Sequence, residues 1–166
     1  MGEEGLRVSM PEGRFRRITV AIDGSSFGAA ALDYAIDLAQ RYGSNLTILS
    51  IAPIVPVYVP STEPYVPAPM PDSELSRYRA IVDAAVRLAE TAGVTSVTGL
   101  CEEGVVVDEI LAHLQQHPTD LLVLGSRGRS AARRLLLGSV STAMVTHAPC
   151  PVLVVRPAPT PEAGSG

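Results

Sequence analysis

Apolar positions along this chain follow two alternating patterns. Short uninterrupted apolar runs are separated by longer stretches that are apolar at every third or fourth place. The first run, "RRITVAID" (16–23), sets Ile18, Val20 and Ile22 around Thr19 and Ala21 and predicts a buried strand ending at Asp23. "NLTILSIA" (45–52), "VTSVTGLCE" (94–102), "TDLLVLG" (119–125) and "CPVLVVRP" (150–157) predict four more. Between them, Leu32, Ala35, Ile36 and Ala39 share one helical face, with Ser25 or Ser26 as N-cap and Gly43 as the stop. Leu75, Tyr78, Val82, Ala85 and Ala89 mark a second helix, opened by Asp72 or Ser73 and ended by Gly93. Val107, Ile110, Leu111 and Leu114 mark a third, and a short helix is expected over 139–147. The order is βαβαβαβαβ. Strands apolar on both sides, separated by helices, mean a parallel sheet covered on both faces, and right-handed crossovers make it a doubly wound α/β layer.

One stretch breaks the alternation. Residues 53–71 hold seven prolines in nineteen positions, which fits neither a helix nor a central strand. An extended loop or flap is expected there. The ends, 1–14 and 158–166, are rich in Pro, Gly, Ser and Glu and are expected to be disordered arms on a single domain of residues 15–157.

Composition narrows the chemistry. The 166 residues are 46% hydrophobic and 18% charged, with a formal net charge of −4. An acidic chain without a stacking-aromatic pattern argues against nucleic acid. All thirteen basic residues are arginine, so a phosphate loop that needs lysine and Schiff-base chemistry are both excluded. Cys101 and Cys150 form no CxxC pair. The opening residues lack the apolar core of a secretory signal, and no run of eighteen apolar residues occurs, so a reducing cytoplasm is the expected location.

Candidate chemistry concentrates in "LGSRGRSAARRLLLGSVS" (124–141), where Gly125, Gly128 and Gly138-Ser139 are interleaved with arginines. In an open parallel sheet, ligands sit beyond the carboxyl ends of the strands at the switch in strand order. Asp23 and Leu124-Gly125 close two strands that are neighbours in the common flavodoxin-like order. Gly125 and Gly128 can adopt positive φ and let a ligand approach the backbone closely, their successive free N–H groups forming an anion-binding concavity. Gly138-Ser139 opens the next helix, where the dipole favours negative charge, and the Ser139 and Ser141 hydroxyls can add donors. The competing reading is a glycine-rich turn with capping serines. Arg127, Arg129, Arg133 and Arg134 serve phosphate, RNA or solvent, with Arg127 and Arg129 the candidate phosphate fork. His113 and His117 are four apart, as in a helical metal pair, but lack an intervening HExxH glutamate. Their place at a helix C-terminus instead favours imidazolium. His147 reads as a helix terminus and Cys150 as packing. No catalytic Ser/His/Asp arrangement stands out.

The spacing Gly125-x2-Gly128-x9-Gly138-Ser139 resembles the ATP-binding motif of the universal stress protein family. "RRITVAIDGSSFGAAALDYAIDLA" resembles that family's opening strand, turn and first helix, and "HAPCPVLVVRP" its closing strand. The likeness spans roughly residues 16–157. It implies a single-domain three-layer sandwich of the adenine nucleotide α-hydrolase-like type, its five-stranded parallel sheet in the order 3-2-1-4-5. It implies that Ala21, Asp23 and Ile51 meet adenine and ribose. Leu124, Gly125, Gly128, Gly138, Ser139, Val140 and Ser141 would then meet phosphate and ribose. It further implies ATP with Mg²⁺ bridged by the phosphates near Asp23, and a homodimer joined through Val152–Val155. The function implied is a stress-response regulator or sensor with slow hydrolysis at most. A cAMP-binding protein and an α-hydrolase-type enzyme are the alternatives, the latter disfavoured because the chain has no room for an acceptor domain.

Overall fold

A computed structural model of the chain describes residues 13–54, 71–129 and 137–158. Residues 1–12 and 159–166 of the expected arms, most of the proline-rich stretch, and Arg133 and Arg134 lie outside the described residues.

Nine elements follow in the expected order: β1 (Arg17–Ala21), α1 (Ser26–Tyr42), β2 (Asn45–Pro53), α2 (Asp72–Ala92), β3 (Val97–Gly104), α3 (Val106–Gln116), β4 (Leu121–Gly125), α4 (Ser139–His147) and β5 (Val152–Val155). The strands form one sheet in the order β3-β2-β1-β4-β5. Every pairing is parallel.

The unbroken apolar runs follow from burial on both faces. Side chains alternate across a strand. Ile18, Val20, Ile48, Leu121 and Val123 face one core, under α1 and α2. Leu49, Leu122 and Leu124 face the other, with Ile110 and Leu114 of α3 and Met144 of α4. α1 buries Leu32, Ala35, Ile36 and Ala39 together with Ala31. Ser25 caps it, its hydroxyl oxygen accepting the Gly28 N–H at 3.1 Å, and Gly43 ends it at φ 62°.

Two boundaries differ from the sequence reading. Neither Asp72 nor Ser73 caps α2. Pro71 is its N-cap and no side chain bonds the free N–H groups there, while the negative charges of Asp72 and Glu74 in the first turn complement the positive end of the helix dipole. β3 begins at Val97 because Val94 belongs to the end of α2. Its N–H donates to the Ala89 carbonyl at 3.0 Å, beside Gly93 in the left-handed region. No described helix is long and apolar enough to cross a membrane.

Candidate functional site

β1 and β4 are neighbours, the connection from β1 runs to β2 on one side and that from β4 to β5 on the other, and a crevice opens beyond their carboxyl ends. The turn after β1 is compact. Gly24 sits at φ +77°, and a Cβ there would fall 2.6 Å from the Ile81 side chain of α2. Both oxygens of Asp23 are in use. Oδ1 accepts the Ser25 N–H at 3.0 Å and the Ser25 hydroxyl at 2.6 Å. Oδ2 accepts the Arg129 backbone N–H at 3.0 Å.

β4 leads into the glycine loop. Gly125 and Gly128 are not at positive φ. They are glycine because other atoms approach. A Cβ at Gly125 would lie 2.8 Å from the Phe27 carbonyl carbon, its oxygen and its Cβ, and one at Gly128 would lie 3.1 Å from Asp23 Oδ2. The loop is then tied back at several points. Ser126 N–H donates to the Val155 carbonyl and Gly138 N–H to the Ser126 carbonyl, each at 2.7 Å. The Ser141 hydroxyl, expected as a ligand donor, donates toward the Ser126 and Gly138 carbonyls at 2.9 and 3.0 Å. Gly138 is the N-cap of α4 and carries no side-chain cap, so α4 begins with free N–H groups at the crevice.

Arg127 and Arg129 rest on aromatic rings. The Arg127 guanidinium lies 5.8 Å from the centre of the Phe27 ring. That of Arg129 lies 5.8 Å from the Tyr78 ring and donates to the Tyr78 hydroxyl at 3.3 Å. Burial pushes the Tyr78 phenol above its usual value, with the Arg77 charge opposing.

These features enclose a cavity of about 810 Å³. Ala21, Asp23, Ile51, Leu124, Gly125, Arg127, Gly128, Arg129, Gly138, Ser139, Val140 and Ser141 all lie on its wall. Leu49, whose carbonyl accepts the Ile22 N–H at 2.9 Å, faces β1. Ile51, two residues on, aims its backbone at the same edge where β1 has already ended. The wall also includes residues that the sequence reading did not assign to a site: Glu74, Arg77 and Tyr78 of α2, and Val105, Val106, Val107 and Ile110 at the start of α3. Tyr78 was visible only as one member of a helical apolar face, and no linear spacing connects it to the glycine loop.

The histidine pair lies elsewhere. The His113 and His117 rings stack with centroids 4.5 Å apart. His113 is 4% exposed with its Nδ1 unpartnered, and burial lowers its pKa. This overturns the expected helix-end imidazolium at His113, because lost hydration outweighs the dipole. Among the described residues, no group of three His, Cys, Asp or Glu could hold a metal ion. His147 is the last residue of α4, and Cys150 packs half-buried against the second core.

An open, doubly wound parallel sheet with its crevice between β1 and β4 defines the class. The chain belongs to the universal stress protein family, whose model matches residues 14–156. It is 35% identical over 148 residues to universal stress protein YxiE of Bacillus subtilis, covering 86% of this chain and 99% of that protein. It resembles the structure of UspA from Lactobacillus plantarum with a TM-score of 0.75 and 28% identity, over 86% of this chain and 99% of the other. It also resembles a universal stress protein solved in complex with cAMP, with a TM-score of 0.64 and 26% identity over 86% and 97% of the two chains.

Proposed function

We propose that this chain binds an adenine nucleotide, ATP with Mg²⁺, in the cavity beyond β1 and β4. In this reading it acts as a dimeric, cytoplasmic stress-response regulator rather than as a turnover enzyme. The observation that carries the reading is the division of the cavity wall. Leu49, Ile51, Val106, Ile110 and Val140 pack in one apolar cluster that reaches the cavity, and that part of the wall suits a base. Another part holds Arg127, Arg129, the glycine loop and the uncapped start of α4, and suits phosphate. Ala21, Asp23 and Ile51 are assigned to adenosine, and Gly125, Gly128, Gly138 and Ser139 to the phosphates.

A nucleotide-borne Mg²⁺ would find two carboxylates on the cavity wall, and that of Asp23 already accepts three hydrogen bonds from the protein. Glu74 also lines the cavity, and its carboxylate makes no hydrogen bond or ion pair among the described residues. We assign Glu74 to hold the cation, which would offset phosphate charge in a chain without lysine.

The cAMP complex of a relative supports a second reading in which the ligand is cyclic. Native mass spectrometry of freshly purified protein, followed by calorimetry with ATP and with cAMP, tests both. Retained ATP and Mg²⁺-dependent ATP affinity are expected. Preference for cAMP selects the second reading, and absence of binding by either nucleotide at millimolar concentration ends both.

A further inference from the structure

The phosphate side of the cavity does not stop at the glycine loop. Its rim is continuous from α4 to α2. Gly138 bonds Ser126, a Cβ at Gly138 would sit 3.4 Å from Arg127 Cα, and one at Gly128 would sit 3.1 Å from Asp23. Asp23 then bonds the Arg129 N–H, and the Arg129 guanidinium ends on Tyr78. Arg77, next along α2, lines the same cavity. Resting on the adenine-nucleotide reading above, we propose that Arg77 and Tyr78 make this site sensitive to the number of phosphates. Arg77 meets the outer phosphates, and Tyr78 is a positioning residue that holds Arg129 beside them.

The geometry distributes the anion along that rim. A single phosphate is served by the free N–H groups at the start of α4, at one end. A polyphosphate chain extends past Asp23 toward α2, where the remaining cations are. Arg77, Arg127 and Arg129 face two carboxylates on this wall, and that of Asp23 is already matched by N–H and O–H donors. Arginine suits the role because its planar fork pairs with two phosphate oxygens at once. Tyr78 is 6% exposed, packed with Leu75 and Ala52, so its ring is a fixed platform. An arginine resting on a fixed ring loses less side-chain freedom when phosphate arrives.

The test compares the affinities of ATP, ADP, AMP and cAMP for the full chain and its variants by calorimetry. Arg77→Gln is expected to weaken ATP about tenfold while changing AMP and cAMP less than about twofold. Tyr78→Leu should give the same ATP-selective loss, and Tyr78→Phe, which keeps the ring, should recover most of it. Because Tyr78 is in a core cluster, Arg129→Gln serves as a second probe if Tyr78→Leu does not fold, with the same selective loss expected. The salt dependence of ATP binding should flatten in Arg77→Gln. An equal fall for ATP and AMP, or unchanged ATP affinity in Arg77→Gln, overturns the inference while leaving the nucleotide site intact. A wild-type chain that binds none of the four ligands overturns the nucleotide reading itself, and this inference with it.

Discussion

The Asp23 carboxylate accepts the backbone N–H of Arg129 at 3.0 Å, joining residues 106 positions apart. The same side chain holds Ser25, which caps α1. One carboxylate thus ties together the end of β1, the start of α1 and the glycine loop.

Removing it should be felt twice. Asp23→Ala leaves three donors without their acceptor and should cost about 1–3 kcal/mol of stability. ATP affinity should fall as well, because the loop is no longer held. Urea unfolding and calorimetry on the same variant check this. If both are unchanged, the bond to Arg129 is incidental.

The glycines should separate by what stands beside them. Gly125→Ala drives a Cβ into Phe27 backbone atoms at 2.8 Å, which cannot swing aside. An overpacking cost of about 1–3 kcal/mol is expected, seen as a lowered melting temperature. Gly128→Ala meets the Asp23 carboxylate at 3.1 Å instead. It should melt nearly as wild type yet bind ATP more weakly, and Gly128→Val should do so more severely. Equal melting for Gly125→Ala and wild type would contradict the close approach.

Stability should depend on pH through His113. Burial holds its ring pKa below the ordinary 6.5, with His117 acting in the same direction and Glu102 opposing. As pH falls below about 6.5 the unfolded chain therefore takes up a proton that the folded chain refuses, and stability drops. His113→Leu should flatten urea midpoints across this window, and an unchanged slope would assign the effect to other groups. A second decline follows at lower pH. Its bond from Arg17 holds Asp120 below its ordinary 3.8, so that contribution is present above 3.8 and is lost as pH falls through the lower folded value.

Assembly is tested at β5. The Pro151 and Val155 carbonyls point at β4, accepting from Leu122 and Ser126. By alternation, Val152 and Val154 turn their N–H and C=O groups to the open edge. If the chain dimerises by pairing this strand with its copy, Val154→Pro removes an outward donor while sparing the β4 ladder. Sedimentation should then show a folded monomer in place of a dimer. A monomeric wild type refutes the pairing.

The sequence made the layers readable because burial on both sheet faces leaves unbroken apolar strands, as at Leu121–Leu124, and because α1 and α2 keep regular faces. The glycine loop lies on the cavity wall, but Gly125 and Gly128 do not take the positive φ read for them. A missing side chain looks the same in sequence whether a positive φ or a close neighbour demands it, and Phe27 and Asp23 are far off in the chain. Arg77 and Tyr78 escaped notice because what recruits them is the tertiary docking of α2 beside the Asp23 turn. The bonds of the Ser141 hydroxyl to the Ser126 and Gly138 carbonyls were not legible either, because they exist only once the loop has closed on α4.

The central position of β1 also fixes a sequence of events during synthesis. β1 is the first strand of the described chain to leave the ribosome, yet one of its two neighbours is β4, which emerges about a hundred residues later. Until then one edge of β1 stays open and Asp23 has no Arg129 to hold. A nascent chain halted after α3 lacks Leu124, Gly125 and every residue of the glycine loop and α4 that lines the cavity. The pocket needs β4, the glycine loop and the start of α4, so any nucleotide it takes can stabilise only a chain that has been made at least as far as Ser141.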